Sequence, residues 1–205
     1  MSEVRSFHSD QELFVQNLRK QTASSHQKLE DNSLSKALLE EAVSVADYQH
    51  YLSALYGVTV GCEETLFPVV EDIVPDINRR YRSELIVNDL LATGFSKEQI
   101  AALPVYKFIS KSASEAMGAI YVLEGSTLGG RVLYKHINKK LAFSAENGAS
   151  YFWGYGDQTG SMWKSFISRF TQFALESGQS AEIIDSARHT FTIIDNWLDE
   201  AVIEK

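Results

Sequence analysis

His26 lies seven residues after Arg19 and four before Glu30, so on a helix a cation, an imidazole and a carboxylate share one face. A neutral imidazole can bind iron through one nitrogen while the other donates to an acceptor that fixes the tautomer, and Glu30 is placed to be that acceptor. A lone histidine on a helix is more often solvent-facing or satisfied by packing than a ligand, so His26 by itself carries no assignment. The other histidines have less to offer. His8 falls in the N-terminal stretch, and His50, His136 and His189 sit on other segments without matching partners, which reads as surface or packing. Asp47 and His50 have the carboxylate-x-x-His spacing of di-iron bundles, but the second copy that such a centre needs does not occur.

The second oddity is a helical segment rich in glycine. Gly118, Gly125, Gly129 and Gly130 each cost about 0.8 to 1 kcal/mol against alanine, roughly 3 to 4 kcal/mol together, so something must offset them. The spacing of Gly118, Gly125 and Gly129 puts all three near one face, which is therefore bare of side chains and lets another object approach the backbone. That object could be a neighbouring helix or a ligand, and the clustering favours a ligand. A phosphate loop is excluded because Arg131 and Val132 follow Gly130 where Lys and Ser or Thr are required. Gly154, Gly156 and Gly160 miss the dinucleotide fingerprint, and no strand precedes them.

The elements that must carry these groups are helical throughout. Apolar residues recur at three and four positions, only three prolines occur (Pro68, Pro75, Pro104), and no strand is readable. A first helix is expected from a Ser9-Asp10 cap to about Glu30, with residues 1–10 largely a flexible tail. Then follow a short helix, a longer one opening near Asp47, a segment over about 79–92 stopped by Gly94, and a turn from Ser96 to Pro104. The longest helix covers about 112–141, an irregular stretch 142–160, and two last helices about 161–176 and 181–203. At 205 residues the chain suits one domain, 1–205, with a sizeable core. Its net charge of -8, with no basic run beyond two residues, argues against nucleic-acid binding. The single Cys62 suggests a reducing interior, and no apolar run is long enough to span a bilayer, so a soluble, cytoplasmic protein is expected.

Residues 18–30 around His26 resemble the proximal helix of heme oxygenases, and 121–133, with Glu124-Gly125-Ser126-Thr127-Leu128-Gly129-Gly130, resemble their distal helix in its bacterial variant. Phe152-Trp153-Gly154-Tyr155-Gly156 with Thr159 to Trp163 and Phe166 is similar to the members associated with bacteriophytochromes. The resemblance implies an all-α, single-domain bundle holding heme between the first helix and a glycine-bent distal helix, with His26 as the iron ligand. It implies catalytic roles for Gly125, Ser126 and Gly129 on the distal side. Heme contacts would come from Arg19, Glu30, Tyr121, Gly130, Lys164 and Phe166, Arg19 and Lys164 serving the propionates, with Arg169 a weaker third. The implied reaction consumes molecular oxygen and electrons from a ferredoxin or flavin reductase. It turns heme into biliverdin, carbon monoxide and ferrous iron, with a bacteriophytochrome as a possible biliverdin acceptor. Ser126 stands where the mammalian pattern has aspartate, which leaves the proton route open. A heme carrier or sensor of the same fold, or a helical relative that binds no heme, would share much of this pattern.

Overall fold

Helix-favouring residues between well-formed stop signals produce ten α-helices among the described residues. The structure, a computed structural model, describes the backbone of residues 2–203 and the side chains of 9–201. The helices are α1 (Ser2–Glu30), α2 (Ser33–Ala37), α3 (Val45–Thr65), α4 (Phe67–Val70), α5 (Ser83–Ala92), α6 (Lys97–Ala101), α7 (Ala113–Leu141), α8 (Ser150–Trp153), α9 (Thr159–Ser177) and α10 (Ser180–Ile203). Among the described residues there is no strand, only isolated bridges from Ser144 to Asn147 and Gly148. None of the described helices is long and apolar enough to cross a membrane.

The expected start of the first helix is corrected: α1 extends back to Ser2. No Gly or Pro interrupts residues 2–8, so Ser9 and Asp10 sit inside the helix, and a capping residue type does not by itself make a cap. Elsewhere the caps act as their types predict. Ser44 and Asp47 form a capping box at α3, Ser96 and Gln99 another at α6, and Ser112 caps α7 through the Glu115 N–H. Pro68 does not merely end α3. It occupies the first turn of α4, where its missing N–H is harmless. The segment expected over 79–92 divides into a 3-10 turn, Ile77–Arg79, and α5.

α10 is the common support. It packs along α7, α1 and α3. Its approach to α7 depends on Gly118: a Cβ there would lie 2.4 Å from the Ile183 carbonyl oxygen and 2.7 Å from Ser186 Cβ. The Ser186 hydroxyl then donates to the Glu115 carbonyl across the same contact at 2.6 Å. α1 rests on α10 through Phe14 and Leu18, buried in the main core with Ile183, Ala187 and Phe191. Its C-terminal end is fastened by polar groups. Lys28 Nζ meets the buried Asp195 carboxylate at 2.7 Å, and Asn32 Nδ2 donates to Asp195 Oδ1 at 3.1 Å and Asp199 Oδ1 at 2.8 Å. The Asp195 hydrogen bond and charge raise the Lys28 pKa above its ordinary value.

A second core joins Tyr48 and Leu52 of α3, Ile86 and Leu90 of α5, and Tyr151 and Phe152 of the irregular stretch. Buried Asp89 pins that stretch by accepting from the Ser150 and Tyr151 N–H groups, each at 2.8 Å. Asn32 also caps α2 through the Leu34 N–H at 3.0 Å. Asn32→Ala should therefore lower unfolding free energy by about 1 to 2 kcal/mol in urea denaturation. A change within error would show that this corner does not hold α1 on α10.

Candidate functional site

Two walls face each other across α9 and α10. α1 and α7 are not among the main packed helix pairs; each packs instead on α9 and α10, which bridge them. Arg19 and His26 share one side of α1, and Tyr121 lies one turn before Gly125 on α7. Arg19 on α1 is near enough to Tyr121 on α7 for its charge to act on the phenol. Burial raises the Tyr121 pKa and Arg19 works against that rise.

On the α1 wall the His26 side chain is 55% exposed and its ring centroid is 5.2 Å from that of Phe191 on α10. Glu30 Oε1 lies 3.6 Å from His26 Nε2, which is too long for a hydrogen bond. The expected imidazole–carboxylate bond is thus not formed, and Glu30 contributes only a nearby charge.

On the α7 wall the glycines divide by function. Gly118 serves helix packing, as described. A Cβ at Gly125 would meet only the Trp163 ring, at 3.7 Å, and one at Gly129 would meet no atom within 4 Å. Gly130 faces inward to Phe152. Gly129 therefore leaves bare backbone beside space that no protein atom fills, and Gly125 has only ordinary van der Waals contact with an indole edge, so close packing explains the propensity cost of neither. The floor beside them is aromatic. Tyr121 stacks on Phe170 at 5.2 Å and lies 5.8 Å from Trp163, and Phe170 contacts Phe166 and Phe14 at 5.6 and 5.5 Å. Phe166 and Phe170 are fully buried, and the Phe166–Phe170 pair belongs to the core. Lys164 and Arg169 are exposed on α9, and Ser126 is exposed on α7.

Behind α7 lies a buried charged cluster that the sequence reading does not contain. Arg80, 1% exposed, ion-pairs with Glu124 and with Asp76 Oδ2 at 2.7 Å, and donates to the Met162 carbonyl at 3.2 Å. Burial works against the Arg80 charge, and Asp76 and Glu124 more than restore it, so its pKa is held above the ordinary value. Glu124 also accepts from the Tyr155 hydroxyl at 2.9 Å. Arg82 donates through Nη2 to the Leu123 carbonyl at 3.0 Å, beneath Tyr151 and Tyr155. A cavity of about 10 Å³, room for one water, is lined by Arg80, Arg82 and Glu124 with Glu63, Thr59 and Cys62. Burial pushes the Cys62 thiol pKa up. The four-residue spacing of Asp76 and Arg80 was the one local signal. The Glu124 and Leu123 contacts bridge more than forty residues and have none.

Of the other histidines, His50 Nε2 lies 2.8 Å from the Ala201 carbonyl and His136 Nε2 3.1 Å from that of Glu40, and the His8 side chain lies outside the described residues. Chemically, these groups suit a flat ligand placed between α1 and α7. It would meet an accessible imidazole on one side and side-chain-free backbone on the other, over an aromatic floor and beside Arg19.

Comparison with known proteins identifies the family and the fold. The sequence model of the heme oxygenase family matches residues 12–200. Among solved structures, the chain resembles the NO- and CO-bound heme oxygenase from Neisseria meningitidis (23% identity, TM-score 0.71, covering 92% of this chain and 91% of that one). It is also similar to heme oxygenase from Leptospira interrogans (17%, 0.74, 91% and 98%) and to heme oxygenase-1 from the cyanobacterium Synechocystis in complex with heme (16%, 0.72, 91% and 91%). No curated protein sequence matches the chain.

The division of the glycines predicts opposite effects of the same substitution on the ligand-free protein. Gly129→Ala should raise unfolding free energy by about 0.8 to 1 kcal/mol, the helix-propensity gain. Gly118→Ala should lower it by about 1 to 3 kcal/mol, because the new methyl meets backbone. Changes of the same sign in urea titrations would refute the division. Glu124→Ala, which strips Arg80 of one of two carboxylates, should cost about 3 kcal/mol in the same assay, and a loss below about 1 kcal/mol would show the pair to be dispensable.

Proposed function

The chain belongs to the heme oxygenase family, and from that membership we propose that it binds heme as its substrate between α1 and α7 and cleaves it to biliverdin, releasing carbon monoxide and ferrous iron. One observation carries this reading. A Cβ at Gly129 would meet no protein atom within 4 Å and one at Gly125 only the edge of the Trp163 ring, while the His26 ring on α1 is more than half exposed. Heme supplies the redox-active iron at which molecular oxygen is activated, with electrons from an external ferredoxin or flavin reductase.

The protein's own groups bind and orient. His26 acts as the neutral iron ligand, and its half-exposed ring leaves a lone pair free for a metal. Arg19, near Tyr121, and Lys164, exposed on α9, provide cations for the two propionates in a chain of net charge -8. Tyr121, Trp163 and the rings beneath them shield the apolar plate from water. Gly125 and Gly129 keep side chains out of the distal space, and Ser126 offers a hydroxyl at its edge. Gly130, turned to Phe152, seats the distal helix rather than touching the ring. Glu30 places negative charge beside the imidazole.

The aromatic block over 152–166 supports assignment to the bacteriophytochrome-associated group, with the product supplied as a chromophore. The single cysteine, Cys62, is buried and unpaired, in keeping with a reducing, cytoplasmic setting.

Hemin should titrate into the purified protein with a sharp Soret band. On adding reductant and oxygen that band should bleach as biliverdin absorption grows; a band that persists would make the protein a heme carrier and overturn the enzymatic reading. His26→Ala should change the ferric spectrum, and identical spectra would remove His26 as the ligand. Gly125→Leu, which fills the distal space, should weaken heme binding by at least about tenfold with helical content preserved, and unchanged affinity would put the heme elsewhere.

A further inference from the structure

We propose that Arg82 is a positioning residue that keeps the Ser126 hydroxyl available as a hydrogen-bond donor to the distal side of the cleft. The inference rests on the heme oxygenase reading above and concerns the same site. The Leu123 carbonyl accepts the Ser126 hydroxyl at 2.6 Å and Arg82 Nη2 at 3.0 Å. Regular α-helix geometry adds the Thr127 N–H to the same oxygen. A carbonyl oxygen has two lone pairs, so three donors compete for two places.

The three donors are not equally free to leave. The Thr127 N–H is fixed by the helix. Arg82 is 5% exposed, its backbone N–H donates to Glu63 Oε1 at 2.5 Å, and its guanidinium is held 5.1 Å from the Tyr151 ring and 5.9 Å from that of Tyr155. Glu63 is held in turn by the Ser83 N–H at 2.9 Å and by the Ser83 hydroxyl. Only the Ser126 hydroxyl can turn away by rotating its side chain. Ser126 is exposed, follows Gly125 directly and precedes Gly129 by one turn, so it borders the open backbone strip while Glu124 and Thr127 beside it are buried.

Because Arg82 keeps the Leu123 carbonyl partnered, the hydroxyl can swing to a ligand or water in the cleft without orphaning a buried acceptor. Without the guanidinium, the carbonyl would hold the hydroxyl to itself. A positive charge behind the distal helix thus makes a weak local donor useful in front of it.

The test is the C–O stretching frequency of carbon monoxide bound to the ferrous heme complex, read by infrared spectroscopy. A hydrogen bond to the bound ligand lowers this frequency, independently of turnover. Ser126→Ala should move the band to higher wavenumber. Arg82→Lys, which keeps a cation in the cluster but loses the fork that reaches Leu123, should move it in the same direction with Ser126 intact, and the double variant should show no further shift. Arg82→Gln, scored in the same way, serves if the lysine variant does not fold. An unmoved band in Ser126→Ala would overturn the donor role, and a wild-type band in the Arg82 variants or additive shifts in the double variant would overturn the positioning role. Failure of the wild-type chain to form a heme complex would appear earlier, as a missing Soret band, and would remove the underlying reading together with this proposal.

Discussion

The close approach of α7 to α10 at Gly118 is the constraint that the rest of the molecule inherits. No side chain fits between Gly118 and the Ile183 carbonyl, so the two long helices lock at one point along their length. α1 is fastened to the same α10 by Phe14, Leu18 and the Lys28–Asp195–Asn32 corner. Both walls of the cleft are therefore referenced to one helix. Their relative placement is set mainly through α10 and α9, on which both of them pack.

The gap would be poor if its walls could drift. On the α7 side the charged cluster prevents that. Arg80 joins the segment after α4 to Glu124 on α7 and to the Met162 carbonyl on α9, and Glu124 in turn holds Tyr155 of the irregular stretch. Buried charges of this kind add little net stability over a well-packed apolar core, but they penalise any arrangement that leaves one of them unpaired. The backbone from Leu123 to Gly129 is thus fixed from behind by side chains, while its front carries none at Gly125 and Gly129. Rigidity without bulk is what the proposed heme site would require of this backbone.

Much of this was legible in the residues. The all-helical class, the long glycine-bearing helix and the His26 face all follow from period and cap chemistry, and α7 ends within a residue of where the pattern places it. The sequence places the start of the first helix too late because Ser9 and Asp10 are capping residue types, and without a stop signal before them they do not act as a cap. Their spacing places the glycines on a single stripe. Local spacing cannot say what lies opposite each of them, and in the structure one meets backbone, one meets the edge of an indole, and one meets open space.

Sequence alone determined the local terms: which segments are helical, where side chains are missing, and which imidazole shares a face with a guanidinium and a carboxylate. These depend on contacts a few residues apart. Tertiary structure alone decided that Glu30 stands off from the His26 ring, that Asp195 anchors the end of α1, and that Arg80 and Arg82 sit behind the distal backbone. Each of these joins helices or is set by how they pack, and a buried charge acquires its meaning only from the partner that folding brings to it.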